Sequence, residues 1–134
     1  MNLKALMRSD AGWGMSILRI VTGIVYAGHG YSKFQGLDRT AGFFGGQGIP
    51  MPDLMAVVVA SVEGVGGVVL VLGLFTRIIS AFQAFVMLVA ILLVHFDNGM
   101  FGEGGYQWAL LLLAASACLM LEGGGKGSLD NTLS

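Results

Sequence analysis

Leu54–Phe75 reads LMAVVVASVEGVGGVVLVLGLF, an uninterrupted apolar run of 22 residues whose only charge is Glu63. A bilayer core about 30 Å thick needs roughly 20 helical residues, so this stretch is long enough to cross it. Three further runs flank it. One extends from Trp13 to about Lys33, one from Ile78 to Phe96, and a shorter one from Tyr106 to Glu122. The sequence therefore predicts one all-α domain covering residues 1–134, a membrane four-helix bundle with spans at about 13–33, 54–75, 78–96 and 106–122.

The composition agrees. Hydrophobic residues make up 55% of the chain and charged residues 11%, against roughly 25% charged in ordinary soluble proteins. The mean hydropathy of +0.79 marks lipid as the main solvent. A net charge of -1 leaves no basic patch for phosphates, which excludes a nucleic-acid partner. Cys118 is the single cysteine, so neither an internal disulfide nor a multi-thiolate metal site can form. His29 and His95 are separated by more than a span and lack metal-ligand spacing, so no metal site is expected. Gly64-Val65-Gly66-Gly67 lies inside an apolar run without a lysine and reads as a helix-packing surface rather than a phosphate loop.

The basic segment Met1–Arg8 before an apolar run has the outline of a signal peptide. The run is too long for one, contains Arg19 and ends at no small-x-small site, so it reads as a retained first span. Between spans one and two, Lys33–Asp53 is rich in glycine and proline and carries Phe34, Phe43 and Phe44, which suits a segment lying at the membrane interface. The very short link around Thr76-Arg77 makes spans two and three an antiparallel pair. Lys4, Arg8, Arg77 and Lys126 fall on the side of the termini, whereas Lys33 and Arg39 fall opposite. That bias predicts that both termini are cytoplasmic.

Intramembrane polar residues need partners or a wet cavity. At 100° per residue, Arg19, Gly23, Tyr26, Gly30 and Lys33 share one stripe of span one, with His29 at its edge and Ile17, Val21, Ile24 and Val25 behind. Ala56, Ala60, Glu63 and Gly67 share a face of span two. Ser80, Ala84, Ile91 and His95 align in span three, and Gln107, Ala114 and Cys118 in span four. If Lys33 and Asp53 lie at one depth, Arg19 and Glu63 differ in depth by about 6 Å. An Arg19–Glu63 ion pair in the bundle core is therefore expected, either fixing helix register or serving a ligand. His29, His95 and Gln107 lie nearer the other ends of their helices, where they would form a polar mouth. Arg19, His29, Glu63, His95 and Gln107 are the candidate ligand-binding residues.

The run Leu18-Arg19-Ile20 with Gly23, then His29-Gly30-Tyr31-Ser32-Lys33-Phe34 and Gly36, resembles the opening of the DoxX family. The likeness continues through Phe43-Phe44, Gly48-Ile49-Pro50, Glu63-Gly64 with Gly66-Gly67, Gly73-Leu74, Thr76-Arg77, His95, and Gly125 with Ser128-Leu129-Asp130. The resemblance implies a four-helix protein of the bacterial inner membrane, associated with respiratory and sulfur redox or thiol-stress systems. It also implies a quinone or small sulfur compound as ligand, and a soluble or membrane oxidoreductase as partner. Two residues depart from the pattern: Gln107 stands where many relatives carry glutamate, and Cys118 alone provides no dithiol. A non-enzymatic membrane scaffold or assembly factor, and a small transporter, are the alternative readings.

Overall fold

A computed structural model describes residues 2–134 of the chain. The described residues are all helix, turn and loop, without a strand. A short α1 (Leu3–Met7) leads into the long α2 (Trp13–Phe34). The chain then turns through α3 (Leu37–Gly46) into α4 (Pro52–Leu72) and α5 (Thr76–Ala90). From α5 it continues through a π-helical turn (Ile91–His95) and a 3₁₀ turn (Phe96–Asn98). Finally α6 (Gln107–Glu122) and a short α7 (Leu129–Leu133) close the fold. Two helical stretches, Pro52–Leu72 and Thr76–Asn98, are long and apolar enough to cross a membrane by length and composition.

The closest helix pair is α2 with α4, and its approach is made by missing side chains. A Cβ on Gly30 would come within 2.0 Å of the Gly64 nitrogen, and one on Gly67 within 2.4 Å of the Ala27 nitrogen. One on Gly23 would meet Val71. Small residues at these crossings let two backbones touch, the usual means of joining helices where lipid removes the hydrophobic incentive. The core proper is a cluster of Tyr26, Leu70, Met87, Ile91, Ala109, Leu112 and Leu119, contributed by α2, α4, α5 with its π turn, and α6. A second, smaller cluster packs Ala41 and Phe44 of α3 on Ala56, so the glycine-rich connection is a helix laid against the start of α4.

The stripes expected on the first two spans are present. Arg19, Gly23, Tyr26, Gly30, Ala56, Ala60, Glu63 and Gly67 are buried, whereas Ile17, Val21, Ile24 and Val25 are exposed. Along α5 and its π turn, Ser80 and Ile91 point inward as expected, joined by Gln83 and Met87, whereas Ala84 and His95 are half-buried. The expectation for α6 is corrected. Gln107, Ala114 and Cys118 are exposed, and the buried face is Ala109, Leu112, Ser116 and Leu119. Small size alone did not select the inward face. Ser116 turns inward because its hydroxyl meets that of Tyr26 at 2.6 Å, satisfying both in the core.

The end of the bundle that carries both termini is stitched by polar contacts. Gly73, at φ +77°, terminates α4, and three residues later α5 begins. The amides of Phe75 and Thr76 donate to the two carboxylate oxygens of the buried Asp130 at 2.7 and 2.9 Å. The Asn131 side chain pairs with both the amide and carbonyl of Ser9 at 2.8 and 2.9 Å. The Ser16 hydroxyl donates to the Lys126 carbonyl at 2.5 Å. Arg77 donates to the carbonyls of Arg8, Met120 and Leu121, covering the last turn of α6. The chain's two ends are thereby held together and to the α4–α5 link.

Candidate functional site

Arg19 and Glu63 do not meet. The Arg19 guanidinium donates to the carbonyls of Gly124 at 2.9 Å, Leu70 at 3.1 Å and Val71 at 2.5 Å. It thus caps the C-terminal end of α4, where unpaired carbonyls and the helix dipole favour a cation. The Glu63 carboxylate accepts instead from Lys33 Nζ at 2.5 Å. The expected Arg19–Glu63 pair is corrected by the register of the α2–α4 contact. Gly30 faces Gly64, Ala27 faces Gly67 and Gly23 faces Val71. Glu63 therefore lies at the level of Tyr31, twelve residues or about 18 Å from Arg19 at 1.5 Å per residue. Lys33 and Asp53 are not at one depth, because α4 extends outward to carry α3 on its first turns.

At the other end of the bundle the site is aromatic and charged together. The His29 ring stacks on Trp108, with centroids 5.2 Å apart and planes inclined by 16°. His95 meets the same indole edge-on at 5.3 Å and 73°. Its Nδ1 is 2.8 Å from the Gly104 carbonyl, which also accepts from Asn98 at 3.1 Å. The π turn over Ile91–His95 brings His95 to this position. Such single-turn widenings rotate the following side chains and occur frequently at functional sites. His29 precedes Gly30 and Glu63 precedes Gly64, and those two glycines touch where α2 crosses α4, so the two histidines, Trp108 and the Lys33–Glu63 pair lie at one level of the bundle. Gln107, the remaining candidate, starts α6 beside Trp108 and is exposed.

Of the five candidates, the structure brings His29 and His95 together through Trp108 and sets Glu63 beside them. Arg19 belongs to the opposite end. Trp108 and Lys33 complete the site. Lys33 already shares the polar stripe of α2, and Trp108 follows Gln107 at a helix start, a position at which an aromatic facing two histidines is legible. Among the described residues no cluster of three or more histidine, cysteine or acidic side chains could hold a metal ion.

Chemically, the site offers a flat aromatic wall, two imidazoles able to exchange protons, and a buried carboxylate whose charge is balanced by an ammonium. The helices' outer surface is apolar: Ile17, Ile24, Phe85, Leu92 and Leu111 are each at least 60% exposed, on faces that only lipid can solvate at this density. A helical membrane protein is the class that this fold and surface define. The family model for DoxX matches residues 14–96, and the chain belongs to that family. It is similar to the Bacillus subtilis (strain 168) protein named "Putative oxidoreductase CatD", at 39% identity over 79% of this chain and 78% of that one. It is also similar to the Escherichia coli (strain K12) "Inner membrane protein YphA", at 28% identity over 85% and 86% of the two chains. No solved structure matches the chain.

Proposed function

We propose that this DoxX-family protein crosses the bacterial inner membrane four times, with both termini cytoplasmic. It serves there as the membrane subunit of a redox system and presents a quinone-type site at the mouth built by His29, Lys33, Glu63, His95 and Trp108. The carrying observation is the stack of His29 on Trp108 beside the Lys33–Glu63 pair, whose carboxylate is buried. A planar ring with two carbonyls needs an aromatic face to lie against and donors at its edge, and reduction needs groups that pass protons. The name of the Bacillus relative supports redox work and that of the Escherichia relative supports the inner membrane. Four spans are supported by the antiparallel α2–α4 and α5–α6 pairs sharing one core. Electrons would be supplied by an oxidoreductase partner.

The test is quinone binding to purified protein in nanodiscs, wild type against Trp108→Ala and His29→Ala, with helicity followed in parallel. Saturable micromolar binding that weakens at least tenfold in both variants supports the site. Absence of saturable binding in the wild type returns the chain to the second reading, a membrane scaffold, which the dense stitching of its two ends favours.

A further inference from the structure

On α5, Thr76, Ser80 and Gln83 occupy one helix face at spacings of four and three residues, and all three are fully buried. Thr76 Oγ1, Ser80 Oγ and Gln83 Oε1 have no hydrogen-bond partner among the described residues. Buried polar atoms left unpaired are rare and costly. Three on one stripe of one helix call for a common explanation. Their separations along the axis are about 6 and 4.5 Å; one water about 2.8 Å from each partner spans the shorter, and two in series span the longer.

The stripe connects two polar regions of the bundle. Thr76 starts it at the stitched end, where its amide binds Asp130 and where a Cβ on Gly124 would lie 2.9 Å from its hydroxyl. Gln83 ends it, with its amide nitrogen 3.4 Å from the Val62 carbonyl, one residue from Glu63. Across the core, the Tyr26–Ser116 hydroxyl pair adds further polar atoms. Ser116 is six residues from the end of α6, about 9 Å, and Gln83 is seven from the start of α5, about 10.5 Å, so they lie at similar depth.

We infer that Thr76, Ser80 and Gln83 form a binding site for a short file of water inside the bundle, running from the stitched end to the level of Glu63. Ordered internal water requires two to four polar partners, which the three orphan atoms and neighbouring waters of the file would supply. A hydrogen-bonded file of this kind also carries protons, which would give Glu63 access to the end of the bundle that holds the termini. The inference rests on α5 alone and stands whether or not the mouth binds a quinone.

Radiolytic footprinting in nanodiscs tests it. Hydroxyl radicals formed in a synchrotron pulse mark side chains beside bound water. Met87 continues the same stripe one turn beyond Gln83 and is 2% exposed, shielded from bulk solvent. Met87 should be oxidised within a factor of about three of the exposed Met100, with the added oxygen drawn from labelled water. In Ser80→Ala/Gln83→Leu the Met87 rate should fall at least fivefold, with Met100 unchanged. If that variant does not fold, Ser80→Ala alone should lower it at least twofold. A Met87 rate at background in the wild type, or one unchanged by the folded variant, overturns the inference.

Discussion

Lys33 and Glu63 join α2 to α4 through a 2.5 Å contact in which the carboxylate is almost fully buried and the lysine side chain keeps a quarter of its surface exposed. That asymmetry sets the expected cost of breaking the pair. Lys33→Met strands a buried carboxylate and should lower stability by about 3 kcal/mol. Glu63→Gln leaves an ammonium that can turn toward water, and should cost about 1 kcal/mol. The double variant should cost less than the sum of the two. Denaturation by sodium dodecyl sulfate in mixed micelles measures all three, and an additive cycle would count against the pair.

The helix crossing makes a sharper contrast. Gly30 and Gly28 lie two residues apart on α2, yet a Cβ on Gly30 would strike the Gly64 backbone and one on Gly28 meets nothing within 4 Å. Gly30→Ala should push the helices apart and destabilise by more than about 2 kcal/mol, as overpacking against an immovable backbone does. Gly28→Ala should be neutral or stabilise by up to about 1 kcal/mol through helix propensity. Equal effects in the same micelle assay would mean that α2 and α4 do not cross at Gly30.

The faces of α2 and α4 were legible because charge and glycine fall there at a helical period. The register between them was not, since it depends on how far α4 rises to carry α3, a tertiary contact of Ala41 and Phe44 on Ala56. An error of a few turns in depth assigned Glu63 the wrong cation, although Lys33 stood on the same stripe. The buried face of α6 was hidden for a different reason: its apolar residues surround the helix, leaving only the hydroxyl of Ser116 to mark the inside. The π turn that sets His95 on Trp108 leaves no periodic signal at all.

Asp130 belongs to the stretch that carries the DoxX resemblance, and its role is visible in the bonds it accepts. Both carboxylate oxygens cap the start of α5, while its own amide donates to Gly73. Asp130→Ala should lower stability by about 2 kcal/mol, the upper range for loss of a helix N-cap. Asp130→Asn, which retains one acceptor, should cost about half as much. Because Asn131 ties the same turn to Ser9, Asp130→Ala should also expose the N-terminal segment to protease. Unchanged cleavage before Trp13 would show that the two ends are held independently.

The proposed topology can be tested with single cysteines, and the structure dictates where to put them. Ser128 is fully buried, its hydroxyl donating to Gly125 and capping α7, so a cysteine there would stay silent on either side of the membrane. Lys126 is exposed at the stitched end, while Gln47 and Glu103 are exposed in the opposite connections. Cys118 is itself exposed on α6 and must first become alanine. On that background, cysteines at positions 47 and 103 should react with an impermeant maleimide in intact cells, and one at position 126 only after lysis. The Lys and Arg distribution argues for this orientation, because Lys4, Arg8, Arg77 and Lys126 gather at one end and only Lys33 and Arg39 lie toward the other. Moreover, Lys33 is drawn inward by Glu63, which weakens its pull on that side and strengthens the bias. Labelling of position 126 before lysis, with positions 47 and 103 protected, would invert the protein in the membrane and place the histidine mouth on the cytoplasmic side.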